Sequence, residues 1–455
     1  MKTDVVIVGA GPAGMYCARE LKTLRPDIGV AIVERGHGIG GRECPKTREC
    51  DCNPCAILCG TGGAGGLSDG KNTISVGRGT QGEDLFRPED VSIMREVDAS
   101  VAAYAGGESV VFDGQQAMLH PEFSRLGFTF SSYPLRHLGS DGIRRWAANM
   151  RGDLWERGVE FVDAEEVRGI LSNSREDRRA RVVVTENRSI EALYAVVAAT
   201  GLDGAPWLHE QLVMHGCQFR PGPAGLAIRL EAPAAVLAPL FGAFYDWKME
   251  RGRLRSFCCN NRGYVLNERH ASLGVRNVNG HSFLDESMKT ESSNFAIMAK
   301  VTTAMTADPQ EIVVGLARAV NGAAGGHSVV QSVEDFLCGR PTEAWDLSYN
   351  YFITNRQARH GVDIGQCLDG IDGLARDFRD YILTLDRLVP GVIGDFSVVY
   401  APEVKYYSPR VSLTPGWESV DVPGLYVIGN ASGYLDSLVA AATSGIIAAR
   451  DIIGD

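Results

Sequence analysis

No apolar run in the 455 residues approaches the roughly 18 that a membrane-spanning helix needs, so no membrane partner is expected. Basic clusters are missing too. Lys and Arg number 45 against 56 Asp and Glu, and the net charge of −11 leaves nucleic acid and anionic surfaces as poor partners. Internal repeats and low-complexity tracts are absent, which argues against solenoids and tails. The nine histidines show no metal-ligand spacing. The opening residues lack the basic, apolar and small-residue stations of a secretory signal, so a reducing cytoplasm is the expected location for the eleven cysteines.

Glycine is in excess: 53 of 455 residues, against a usual share of about 7%. With no collagen-like period, the excess points to tight turns and to loops whose backbone approaches a ligand. Residues 4–36, "DVVIVGAGPAGMYCARELKTLRPDIGVAIVERG", read as strand, glycine turn, helix and second strand. Gly9, Gly11 and Gly14 give GxGxxG, with Pro12 and Ala13 opening the helix. Glu34 closes the second strand 23 residues after Gly11, placed for the ribose hydroxyls of a dinucleotide. The first glycine makes the turn, the second lets the backbone meet a pyrophosphate, and the third lets helix and strand pack, while the helix N-terminus offers amides to phosphate. Residues 141–156 read as an amphipathic helix, 159–201 as alternating strands, and 216–345 as a β-rich insertion. The end, "PGLYVIGNASGYLDSLVAAATSGIIAARDI", reads as strand, loop and small-residue helix.

The pattern beyond Glu34, "RGHGIGGR", resembles the extended FAD motif of glutathione-reductase-type flavoproteins, which implies FAD contacts from Arg35, Gly41 and Arg42. "AVVAATG" resembles that superfamily's middle motif, bringing in Thr200 and Gly201. "GLYVIGNASG" resembles its C-terminal motif, with Asn430 after Gly429 where relatives carry an acid on the flavin ribitol. "GVEFVDAEEV" resembles the strand whose backbone, here at Val167, meets adenine. A longer likeness runs through "GTGGAGGLSDGK", "GLAIRLEAP", "RSFCCNNRGYVLNERHASLGVRNVNGHSF" and "YYSPRVSLTP". On these segments the chain is similar to a family of FAD-dependent dehydrogenases whose reaction is largely unassigned.

That likeness implies an α/β fold: a Rossmann-like, discontinuous FAD-binding domain (1–75, 125–215, 395–455) with an inserted mixed β-rich substrate domain (76–124, 216–394). No second GxGxxG follows a strand, so a dedicated NAD(P)H domain is not expected. Oxygen, a visiting NAD(P) or a carrier remain as electron acceptors.

Cysteines crowd the segment after Arg42. Cys50, Cys52, Cys55 and Cys59 offer four thiolates within ten residues, enough for zinc or an iron–sulfur cluster. Cys44 sits near the position of the reductases' redox pair, and Cys52–Cys55 forms a CxxC. Buried thiols beside a glycine loop are the third reading. In "GTGGAGGLSDGK" six glycines disfavour helix and strand and suit a loop laid on the flavin, bringing Gly65 and Ser68 to it. Asp69 and Lys71 are then candidate catalytic groups, one to accept a substrate proton and the other to stabilise negative charge. Arg410 is a candidate for a substrate carboxylate, with Arg229 and Asn279 weaker ones. Leu438 and Val439 open the last helix, whose N-terminus can face the flavin. The expected function is two-electron dehydrogenation of a small organic substrate, desaturating or aromatising a C–N or C–C bond. A monooxygenase or NAD(P)H-fed reductase, or a thiol or metal electron carrier or redox sensor, are the alternatives.

Overall fold

The computed structural model describes all residues except 45–50, 75–84, 88, 113–120, 173–180, 200, 202, 242–243, 407 and 455. Val5–Val8 and Val30–Val33 are short runs of apolar, mostly β-branched residues, buried throughout, the pattern of strands covered on both faces. They lie in a five-stranded parallel sheet ordered Leu425–Val427, Tyr194–Val197, Val5–Val8, Val30–Val33, Glu160–Val162. Side chains alternate between its faces. Ile7, Ile32, Val196 and Tyr426 enter a core with helices Pro12–Leu24, Gly139–Glu156 and Leu438–Gly454. Val6, Val8, Ala195 and Val197 enter a second core, beneath an antiparallel sheet of Val167–Ser172, Arg181–Thr185 and Ser189–Ala192.

A seven-stranded antiparallel sheet forms the other unit, ordered Val329–Ser332, Val398–Tyr406, Ala224–Pro233, Ser292–Val301, Leu254–Asn260, Trp247–Arg251, Thr129–Ser132. One face packs on helices Pro309–Ala323 and Leu374–Asp386. A hairpin, Tyr264–His270 with Val275–His281, runs beside the sheet. The expected α/β architecture, a discontinuous Rossmann-like unit carrying an inserted β-rich one, is the one observed. Sheet membership crosses the divisions read from the sequence at two places, and helix packing at a third. Thr129–Ser132 and Val398–Tyr406 belong to the seven-stranded sheet, and helix Asp90–Tyr104 packs Ile93, Met94, Val97 and Val101 into the first core. A short strand carries no sequence mark of its partner, so such boundaries emerge only from pairing.

The C-terminal helix crosses the first helix at close range. A Cβ on Gly445 would fall inside the van der Waals shell of the Ala13 carbonyl and lie 3.0 Å from the Cys17 nitrogen. That approach fixes the N-terminal end of the last helix beside the glycine turn.

Candidate functional site

Both units open onto one cavity of ≈ 1010 Å³. Pockets for drug-sized ligands span about 300–1,000 Å³, so this one has room for a dinucleotide. Its floor is the turn after the first strand. Gly9, with φ +108, turns the chain, and Gly11, Pro12 and Ala13 line the cavity. Pro12 supplies a fixed φ where no intrahelical donor is needed, and no side chain caps this helix, so its first amides stay available. Beyond Gly11 the space is open, the nearest atom to an added Cβ being 3.9 Å away. Gly14 lies behind the turn, packed on the first strand's Ile7, and does not line the cavity.

The glycine loop folds back on this turn. Gly62 N–H donates to the Ala10 carbonyl at 2.7 Å, and Gly65 sits over Pro12 and Leu438. Arg42 holds the loop together. It is 1% exposed, and its guanidinium donates to the carbonyls of Ala56 (3.0 Å), Ile57 (2.7 Å), Thr61 (2.6 Å), Gly63 (2.9 Å) and Gly60 (3.4 Å). Burial pulls its pKa down to about 10, with Glu34 and Cys59 opposing the shift. Arg42 thus shapes the site from outside the cavity. Gly41, in a 3-10 turn against His37, does not line it either.

Glu34 reaches the cavity with both oxygens engaged. One accepts from Ala10 N–H (2.9 Å), the other from Gly36 (2.8 Å) and Gly60 (2.9 Å). A carboxylate offers about four acceptor sites, so one remains for a ribose hydroxyl. Arg35, beside it, contacts the Cys59 sulfur (2.9 Å) and Asp203 (3.3 Å). Val167 and Gly201 line the same end, while Thr200 lies outside the described residues. Asn430 lines the wall and donates to the Leu435 carbonyl at 2.9 Å; Gly429 packs on Ala13 behind it. Leu438 lines the cavity at the start of the last helix, where Ser437 Oγ accepts from Ala440 N–H (3.1 Å), whereas Val439 points into the core.

Sequence reasoning passed over His270. It ends the first hairpin strand, is 4% exposed and lines the cavity, and among the described residues neither ring nitrogen has a hydrogen-bond partner, the Glu268 carboxylate lying 3.9 Å from Nε2. Burial, opposed by Asp203 and assisted by Arg35, pulls its pKa down to about 4, so the ring is neutral. Buried polar groups are almost always satisfied, and a bound molecule is the natural partner here. Glycine turn, open helix N-terminus, acceptor carboxylate and orphaned imidazole together fit a dinucleotide.

A charged chamber occupies the part of the wall where the inserted unit meets the glycine loop. Ser68 ends that loop, its hydroxyl donating to the Gly65 carbonyl (2.8 Å). Asp69 follows, bonded by His137 Nε2 (3.0 Å), Tyr245 Oη (3.1 Å), Ser282 N–H (3.2 Å) and the Ser282 hydroxyl, and paired with Lys71 (3.0 Å). Burial alone would raise its pKa, but Lys71 and His137 outweigh it and hold the carboxyl well below the usual range. Lys71 also donates to the Cys259 carbonyl (2.7 Å) and lies 3.6 Å from Asp246, which pairs with Lys248 (3.0 Å) and accepts from Tyr133. Burial works against the Lys71 cation, yet nearby Cys258, Asp246 and Asp69 raise its pKa well above the ordinary value. Asp69, Lys71, Asp246 and Lys248 thus form a row of alternating fixed charge. His137, Tyr245, Ser282, Asp246 and Lys248 carried no motif in the sequence. Tyr245, Asp246 and Lys248 share one stretch of chain, but His137 and Ser282 come from elsewhere, Ser282 as far as 213 residues from Asp69, and only the fold assembles them.

Arg410 lines the cavity in a two-stranded pairing with Arg220, its guanidinium 5.8 Å from the Tyr434 ring centroid. Arg229 is wholly buried and bidentate to Glu403 (2.6 and 2.7 Å); it braces the sheet. Asn279 donates to Glu268 at 2.7 Å.

The cysteine cluster does not converge among the described residues. Cys59 faces Arg35, whereas Cys55 is buried with Ile57 and Leu266. Burial raises both thiols, that of Cys59 to about 11 against the pull of Arg35. No group of three or more potential metal ligands is found among the described residues, and Cys50 lies outside them. The zinc or iron–sulfur expectation therefore has no support here. Arg42 bonds the backbone carbonyls of Ala56 and Ile57 between Cys55 and Cys59, and the two thiols end in different surroundings. Among the described residues no helix is long and apolar enough to cross a membrane.

Comparison with known proteins gives one family-model match, the Thi4 family, over residues 1–44. Those residues are the strand–turn–helix–strand unit and the start of the next segment. Over the whole chain there is 22% identity to an uncharacterized protein of Clostridium beijerinckii, covering 100% of this chain and 81% of that one. A stretch of 39 residues is 59% identical to a thiamine thiazole synthase of Coprinopsis cinerea, 9% of this chain and 12% of that one. Among solved structures, glycine oxidase from Geobacillus kaustophilus aligns over 100% of this chain and 95% of its own, with 12% identity and a TM-score of 0.44.

Proposed function

We propose that the protein is an FAD-dependent oxidoreductase that dehydrogenates a small organic substrate. The observation that carries this reading is a cavity joining a dinucleotide cradle to a charged chamber where the glycine loop meets the inserted unit. Gly11, Pro12, Ala13, Glu34, Val167, Asn430, Leu438 and His270 would hold FAD, which when bound supplies a two-electron acceptor.

The chain's own residues do the rest. Lys71 keeps a fixed positive charge on the wall, where it favours negative charge developing opposite it. Asp69 is ionised but crowded by donors, so it is a weak proton acceptor; its part is to hold Lys71 in place. This shifts the role expected for Asp69 from base to positioning group. His137 and Tyr245, stacked with ring centroids 3.9 Å apart and both bonded to Asp69, help hold that carboxylate in place. Burial of Asp69, Asp246 and Lys248, with Lys71 partly buried among them, limits the access of water to the reacting end.

The test is anaerobic spectroscopy of the purified protein against a panel of small amines, alcohols and acids. The reading expects flavin absorbance, FAD released on denaturation, and bleaching by at least one compound class. Protein that neither retains nor takes up flavin would overturn it.

A further inference from the structure

The protein as a whole is acidic, with a net charge of −11, yet the sheet that roofs its cavity is positive. Register places Gly225 opposite both Lys300 and Lys405, and Met298 opposite Arg255. Because side chains alternate across a sheet, Lys405, Gly225, Lys300, Met298, Arg255 and Phe257 share one face, and all six line the cavity. The opposite face carries Leu226, Ile228, Ile297 and Ala299 into the core.

Three carboxylates near this face are already committed, while Glu250, which register sets opposite Arg255, is exposed and in no ion pair among the described residues. Asp436 pairs with Lys405 (2.6 Å), Asp246 with Lys248 (3.0 Å) and Glu403 with Arg229 (2.6 Å). Among the described residues Arg255 and Lys300 pair with no carboxylate, and the Arg255 Nε is buried without a hydrogen-bond partner. Gly225 leaves room that the Met298 side chain fills, an added Cβ there lying 2.6 Å from the Met298 sulfur. Alongside lies an apolar plate. Phe257 has the Lys405 ammonium 4.3 Å from its ring centroid and Lys248 at 5.3 Å, with Met298 on the neighbouring strand. A guanidinium with an unused donor beside an ammonium recognises a carboxylate or a phosphate, and an aromatic face recognises a flat apolar body.

We infer that Arg255 and Lys300 form an anion subsite, so that the substrate is a small organic acid whose flat body lies on Phe257 and Met298. The inference rests on the oxidoreductase reading above and narrows its substrate class. The cationic lining also disfavours cationic amines at the same position.

The experiment titrates the flavin-loaded protein with benzoate, with benzamide as its uncharged counterpart, and with inorganic phosphate, following the visible flavin bands and the thermal midpoint. Benzoate is expected to perturb both readouts and to bind at least about tenfold tighter than benzamide, with affinity falling as salt rises. Phosphate should bind more weakly than benzoate, because it cannot use the aromatic plate; phosphate binding more tightly would reassign the subsite to phosphate esters. Lys300→Gln and Arg255→Gln should each weaken benzoate about tenfold, the scale of one lost charge-assisted hydrogen bond. Lys300 is exposed, so its variant reads the subsite even where the Arg255 change unfolds the sheet. Equal binding of benzoate and benzamide, or unchanged benzoate affinity in Lys300→Gln, overturns the inference. A protein that takes up no flavin but still shows the benzoate-dependent thermal shift would refute the oxidoreductase reading while leaving the subsite standing.

Discussion

His270 is a buried imidazole with no hydrogen-bond partner among the described residues, and two measurable consequences follow at the scale of that one residue. With its pKa near 4 in the fold and near 6.5 in the unfolded chain, the unfolded state binds a proton in this window and the folded state does not. Stability therefore rises with pH between these values and is lost as pH falls through them, by up to about 3 kcal/mol from this group. In flavin-free protein, denaturant unfolding at pH 4.5 and 7 should show a smaller pH difference in His270→Leu than in the parent chain. An identical difference would remove His270 as its source. The same variant should bind FAD about fivefold more weakly, for one neutral hydrogen bond of about 1 kcal/mol. Residue-scale legibility was uneven. Glu34 and Gly11 stood out because spacing after a strand carries their meaning. Arg42 looked like a ligand contact, yet its role, five bonds to backbone carbonyls, is set by a loop whose path no local pattern discloses. His270, Asp246 and Lys248 were silent, since a lone polar residue in a strand reads as surface until the sheet is assembled.

Among the elements, the contact between the first and last helices matters most for the site, because it places Leu438 and Ser437 at the cavity wall. Gly445 permits that contact. Gly445→Val should force the helices apart, costing about 1–3 kcal/mol as overpacking does. It should also weaken FAD retention, because the wall beside Leu438 moves with the helix. Denaturant unfolding and flavin content of the purified variant check this; unchanged stability would mean that the last helix tolerates displacement. Both helices were legible in the sequence, the last one as a helix rich in small residues such as Ala440–Ala442, Ser444 and Gly445, but not their contact with each other. The seven-stranded sheet was visible only as a β-rich region. Its order joins strands from residues 129 to 406, and such long-range pairing has no local signature.

Across the whole molecule, the cavity has one wall from each unit, so a ligand filling it ties the two together. The central claim is that this cavity holds FAD on the Gly9–Gly14 turn. Gly11 allows a clean separation of binding from folding. Its φ of −79° suits any residue, and an added Cβ meets nothing closer than 3.9 Å, so a side chain there fits the protein but occupies the open space above the turn. The deciding measurement is calorimetric titration of flavin-stripped protein with FAD, for the parent chain and for Gly11→Val. The account predicts one FAD per parent chain. It predicts a Gly11→Val protein with the parent's circular dichroism and melting point in the absence of flavin, and with FAD affinity lowered at least about a hundredfold, as expected where a side chain blocks backbone approach to the pyrophosphate. A parent chain that binds no FAD, or a folded Gly11→Val protein that binds it equally well, would contradict the account.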